Sequence, residues 1–106
     1  MAREARIDIP EQKLADFCRK WRVVELALFG SVLGDQFNAE SDVDVLIDFG
    51  EGAAWDLFDL VRMQDELEAI FGRPVDLVEK AGLRNPFRRS SILRGKQVVY
   101  GPVGAG

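Results

Sequence analysis

Histidine is missing from all 106 residues, and cysteine occurs once, at position 18. The first absence excludes a Ser-His-Asp or Cys-His catalytic set, a His-ligated zinc site and a histidine proton shuttle. The second excludes an internal disulfide, and Cys18 is expected to be a small core residue. No apolar run approaches the roughly 20 residues of a membrane helix. Met1-Ala2-Arg3-Glu4-Ala5-Arg6 mixes charges and leads into no apolar stretch, so no signal peptide is expected and the cytoplasm is the expected compartment. Basic charge is in deficit, 14 Lys and Arg against 18 Asp and Glu, which opposes a broad nucleic-acid footprint. Chemistry here has to run on carboxylates, hydroxyls, lysine or arginine.

What is present is the composition of a globular domain, 47% hydrophobic and 30% charged. The length suits one domain with a modest core. Pro10 is well placed to start a helix, and Leu14, Phe17, Cys18 and Trp21 follow at the i, i+3, i+4, i+7 spacing of one buried stripe. Val23 to Phe29 reads as a strand and Asp42 to Phe49 as a second, ended by Gly50-Glu51-Gly52. Trp55 to Phe71 reads as an amphipathic helix with Leu57, Leu60, Val61, Leu67, Ile70 and Phe71 inward, and with Trp55, Phe58 and Phe71 in the core. Gly72 and Pro74 stop it. Val75 to Glu79 is expected to be a third strand, Phe87 to Leu93 a short helical turn, Gln97 to Tyr100 a fourth strand, and residues 101–106 a mobile tail.

Connection lengths restrict how these elements meet. The short link between the first two strands favours an antiparallel pair, whereas a helix between the second and third is a crossover and favours a parallel pair. The result is an α/β (α+β) domain with one mixed sheet of about four strands. In that arrangement Gly30 and Ser31, Asp42 and Asp44, and Asp76 all reach the same edge.

Asp42 and Asp44 stand at i and i+2, so their side chains leave one face of the strand about 7 Å apart. Two anions held that close repel, and a divalent cation with oxygen ligands relieves the repulsion. Asp76 supplies a third carboxylate. Such a trio around magnesium suits phosphoryl or nucleotidyl transfer, in which Asp76 is placed to accept the proton of an incoming hydroxyl. Gly30 lets a phosphate approach the backbone, and the Ser31 hydroxyl donates to it. Asp48, about 13 Å from Asp42 by strand rise, and Glu79 are expected to be solvated strand ends. Arg84, Arg88, Arg89, Arg94 and Lys96 form the one basic concentration, read either as solvated surface or as a contact for an acidic partner or a triphosphate tail.

Phe29-Gly30-Ser31, ten intervening residues, Asp42-Val43-Asp44 and later Pro74-Val75-Asp76-Leu77-Val78 resemble the minimal nucleotidyltransferases of the DNA polymerase β superfamily. The stretch from Asn85-Pro86-Phe87-Arg88 to Val99-Tyr100 is similar to the family's closing segment, so the resemblance runs from Val23 to Tyr100. It implies one nucleotidyltransferase domain over 1–100, its helices packed mainly on one face of the sheet. It implies Asp42, Asp44 and Asp76 as catalytic Mg²⁺ ligands, and Gly30 and Ser31 as phosphate contacts for ATP, with Arg88 the best basic candidate. It further implies an antitoxin that transfers AMP to a tyrosine of a HEPN-domain ribonuclease and forms a hetero-oligomer with it, with no membrane partner. Many relatives carry a basic residue where this chain has Gly34. The helical domain that shapes the acceptor site of aminoglycoside nucleotidyltransferases is not expected here, which disfavours an antibiotic substrate. Two alternatives stay open at this point: a non-catalytic antitoxin that masks its partner, and a nucleotidyltransferase acting on a small molecule or RNA.

Overall fold

The stripe of Leu14, Phe17, Cys18 and Trp21 lies on the first helix, α1 (Glu11–Trp21), and all four side chains are buried. The computed structural model describes residues 9–30, 34, 41–50 and 54–101. Pro10 caps α1, its carbonyl accepting from Leu14 N at 3.0 Å. Arg22 ends the helix in the left-handed region at φ 57°, and Val23 N donates back to Cys18 O at 2.8 Å. Burial pushes the Cys18 thiol up to about 12, so it packs as the neutral, apolar group the sequence suggested.

After α1 come β1 (Glu25–Phe29), β2 (Val43–Asp48), α2 (Leu57–Phe71), β3 (Val75–Glu79), a one-turn 3-10 helix (Lys80–Gly82), α3 (Pro86–Gly95) and β4 (Gln97–Tyr100). The strands lie in the order β3-β2-β1-β4. β1 is antiparallel to both β2 and β4, and β2 is parallel to β3, as the connection lengths require. Alternation along the two central strands divides the core. Leu26, Leu28, Val43, Val45 and Ile47 join the buried faces of α1 and α2, whereas Ala27, Phe29 and Leu46 meet Leu83 and Ile92 on the α3 side. The larger core is therefore under α1 and α2, with the smaller one beneath α3.

On α2 the sequence reading needs correction. Met63 and Leu67 are its buried residues, and Leu60, Ile70 and Phe71 pack partly buried against the core. Leu57, Phe58 and Val61 are instead 72%, 78% and 52% exposed. At 3.6 residues per turn, Leu57 and Val61 sit about 80° and 120° around the helix from Leu67, and Phe58 about 180°. Trp55 precedes the helix and does join the core, edge-on to Trp21 at 5.1 Å and to Phe49 at 6.3 Å between ring centroids. The expected turn at Phe87–Leu93 is a full ten-residue helix, α3. Its start is set by Pro86 in the first turn and by the Asn85 side chain, which accepts from Phe87 N at 3.0 Å and Arg88 N at 3.1 Å. Apart from Gly101, the proposed tail lies outside the described residues.

Glu66 fastens α2 to α1. It accepts from Lys20 Nζ at 2.8 Å and from Trp21 Nε1 at 3.0 Å. Partial burial pushes its carboxyl upward, but the Lys20 and Trp21 hydrogen bonds and the charges of Lys20 and Arg62 outweigh that and hold it below the ordinary 4.5. A carboxyl more acidic in the folded than in the unfolded chain stabilises fully above its ordinary value and loses that contribution as pH falls through the folded one. Glu66→Gln is therefore expected to lower Tm by a few degrees at pH 7, with the gap to the unsubstituted protein closing as pH falls below the ordinary 4.5 and through the lowered folded value. Thermal melts over that range check it; a gap that does not change with pH refutes it.

Candidate active site

The site forms where β1 ends and β2 and β3 begin. Phe29 is paired with Asp44 across β1 and β2, and Asp44 with Asp76 across β2 and β3. Register partners on neighbouring strands project from the same face, with backbones about 4.8 Å apart, so Asp44 and Asp76 stand side by side. Asp44 is half-buried and Asp76 exposed. Asp42, also exposed, stands one residue before β2. Gly30 follows Phe29 at φ +76° and lies tight against this pair: a Cβ there would be 2.2 Å from Asp44 Oδ2. Only glycine leaves that carboxylate its place.

The alignment of these residues is fastened by groups that no sequence motif announced. Arg73 Nη1 donates to Ser41 O at 3.3 Å, and Val43 N donates to Pro74 O at 2.9 Å, so the entries to β2 and β3 are clasped together. Glu68 Oε2, from the last turns of α2, accepts from Val75 N at 2.9 Å and fixes the residue before Asp76. On the sequence, Glu68 and Arg73 look like ordinary surface charge near a helix end; only the packing of α2 on β3 gives them a role.

Other candidates fare differently. Ser31 lies outside the described residues, while Gly34 is described and half-buried. Among the described residues no group of three acidic, histidine or cysteine side chains converges closely enough to enclose a cation as it stands. The carboxylates that could hold one are Asp44 and Asp76 with Asp42 beside them, an all-oxygen donor set of the kind magnesium takes. Asp48 is not freely solvated: it accepts from Gly50 N at 2.9 Å and pairs with Lys80 at 3.5 Å. Glu79 is half-buried at the end of β3.

The basic cluster is spread along the return path over the α3 face of the sheet. Arg89 donates to Lys80 O, Arg94 Nε to Ser90 O, and Lys96 pairs with Glu25. α3 carries the chain back from the Lys80 end of β3 to β4, whose first residue, Gln97, faces Leu28. Arg94 and Lys96 are thus toward the Gly30 end, and Arg88, exposed in the first turn, is toward the opposite end. The topology does not group Arg88 with Gly30 and the carboxylates.

Carboxylates beside a left-handed glycine at the end of a mixed sheet are the groups that oxygen-seeking cations and polyphosphates meet in phosphoryl-transfer sites. A curated relative from Methanocaldococcus jannaschii, assigned as a protein adenylyltransferase, is 37% identical over 78% of this chain and 86% of its own length. The protein adenylyltransferase MntA of Thermococcus cleftensis is 33% identical over 76% of this chain and 77% of its own. Among solved structures, a toxin–antitoxin complex with AMP-PNP contains a chain of the same fold, at TM-score 0.71 and 18% identity over 90% of this chain and 76% of that one. The MNT antitoxin complex with tri-AMPylated Shewanella oneidensis HEPN toxin also contains one, at TM-score 0.63 and 18% identity over 87% and 70%. No helix among the described residues is long and apolar enough to cross a membrane. With residues 11–99 matching the nucleotidyltransferase domain family, the chain belongs to that family and is a nucleotidyltransferase.

Proposed function

We propose that this chain is an antitoxin that transfers AMP from ATP to a tyrosine of a HEPN-domain toxin and thereby silences it. The observation that carries this reading is the register pair Asp44–Asp76 with Gly30 closed against it. Relatives named as protein adenylyltransferases and a neighbour bound to an AMPylated HEPN toxin support the donor and the acceptor.

In the reaction, Gly30 gives the triphosphate a close approach to the backbone and Ser31 donates to a phosphate oxygen. Asp42, Asp44 and Asp76 would hold Mg²⁺. The ion, when bound, supplies charge neutralisation on the triphosphate and on the departing pyrophosphate. Asp76, exposed on the outer strand β3, accepts the proton of the tyrosine hydroxyl as its oxygen bonds to the α-phosphorus and the bond to pyrophosphate breaks. The Asp44–Asp76 alignment fixed by Arg73 and Glu68 keeps acceptor and donor in line. Arg88, set apart from this group by the length of α3, is assigned to contact with an acidic protein surface, not to the phosphates beside Gly30.

Incubating the chain with a HEPN-domain partner, Mg²⁺ and ATP labelled at the α-phosphate is expected to label the partner, and a tyrosine-to-phenylalanine partner to stay unlabelled. Label on RNA ends or on a small molecule, with none on the partner, overturns the acceptor. Suppression of toxicity by an Asp42→Asn/Asp44→Asn double variant at matched expression assigns the silencing to binding alone.

A further inference from the structure

The five large apolar side chains that stand exposed among the described residues are Val24, Leu57, Phe58, Val61 and Phe87. All sit toward the end of the sheet opposite the carboxylates. Val24 N bonds to Asp48 O at the end of β2. Leu57, Phe58 and Val61 open α2, which reaches the carboxylate end only at Gly72, and Phe87 opens α3. Leu57, Leu60 and Val61 also line a groove of about 180 Å³ against Leu77 and Glu79 of β3, which is an outer strand of the sheet.

Charge divides along the same line. The 27 residues from Lys80 onward hold six of the 14 basic side chains and none of the 18 acidic ones, so the first 79 residues carry −10 and the remainder +6. Asp56, the N-cap residue immediately before Leu57, puts a carboxylate beside the mouth of the groove, and Glu79 lines the groove itself. Phe87, 84% exposed, has Arg84 and Arg88 beside it. One surface is apolar with an acidic border, and the other is an aromatic knob with a basic border.

α2 and α3 lie on opposite faces of the sheet, and both begin beside the C-terminal end of β3. A two-fold axis running parallel to β3 along this outer edge exchanges the faces but keeps the end. It sets α2 of each copy beside α3 of the other, so both contacts are made twice. We infer that the chain pairs with a second copy of itself along β3, Phe87 of each copy entering the Leu57–Val61 groove of the other, with Arg84 and Arg88 facing Asp56 and Glu79. Apolar contact bordered by complementary charge is the composition of a specific interface. The carboxylate end stays open for an acceptor, so the inference goes beyond the proposed transfer and does not depend on it.

Sedimentation of the intact chain at about 100 μM is expected to give a reversible dimer, and Val61→Asp and Phe87→Asp are each expected to weaken it at least about tenfold. Both positions are exposed, so the variants keep the fold. In a mixture of Val61→Cys and Phe87→Cys chains under mild oxidation, the 61–87 disulfide is expected to exceed either homodisulfide several-fold; buried Cys18 does not compete. A monomer at that concentration overturns the inference. So does a dimer that links 61 to 61, or one indifferent to both aspartate variants. Loss of HEPN-partner capture by Val61→Asp, with the chain alone monomeric, gives the groove to that partner and equally overturns it.

Discussion

Asn in place of Asp44 is expected to lower AMP transfer by about a thousandfold or more while leaving the fold intact. The amide keeps the volume of the carboxylate and removes its charge. Metal-assisted charge stabilisation is worth several kcal/mol in such sites, and each 1.36 kcal/mol is a factor of ten in rate. Asp44 is the half-buried member of the group, paired with Asp76 in register and with Gly30 packed against its carboxylate. Removing one of three neighbouring like charges also relieves repulsion in the absence of metal. Tm measured without magnesium should therefore stay within a few degrees of the unsubstituted value, this relief offsetting the contacts that the carboxylate makes and the amide weakens. Single-turnover transfer measured beside circular dichroism separates the two effects. A variant that keeps more than about a tenth of the rate, or that loses activity only because it unfolds, removes Asp44 from the reaction.

The second large effect belongs to Gly30. Gly30→Ala meets two obstacles at once: a φ of +76°, and a Cβ only 2.2 Å from Asp44 Oδ2. The left-handed conformation alone costs about 1–2 kcal/mol for a residue with a Cβ. The collision is the larger functional matter, because the carboxylate must swing away, and a misplacement of about 1 Å can cost about a hundredfold in rate. Gly72 provides the control, since it shares the left-handed backbone at φ +69° but nothing lies within 4 Å of its would-be Cβ. Gly72→Ala is expected to lower Tm like Gly30→Ala and to leave transfer near the unsubstituted rate. Equal losses of activity in the two variants would show that the closeness of Gly30 to Asp44 has no catalytic meaning.

How far these features were legible in the sequence depends on the kind of force behind them. The α1 stripe, the alternation of β2 and the crossover helix are local patterns, and from them follow the mixed sheet and the meeting of Gly30, Asp44 and Asp76 at one edge. The facing of α2 was only half legible. Leu57, Phe58 and Val61 are as apolar as the residues that do enter the core, and the choice among them is made by the angle at which the helix meets the sheet. α3 was under-read because its sequence has little periodic contrast: its start is written in Asn85 and Pro86, but only Ile92 is buried. Glu68, Arg73 and the position of Arg88 depend on contacts between elements distant in sequence, and no local pattern records them.

The proposed catalytic pair straddles a parallel seam: Asp44 belongs to a central strand and Asp76 to one with a neighbour on a single side. Side chains alternate along a strand, so a slip of β3 by a single residue would send Asp76 to the far face and bring Val75 or Leu77 opposite Asp44 in its stead. Competence here is consequently all-or-none in the alignment of two strands, and the Arg73 and Glu68 clasps guard that alignment as much as they guard the fold.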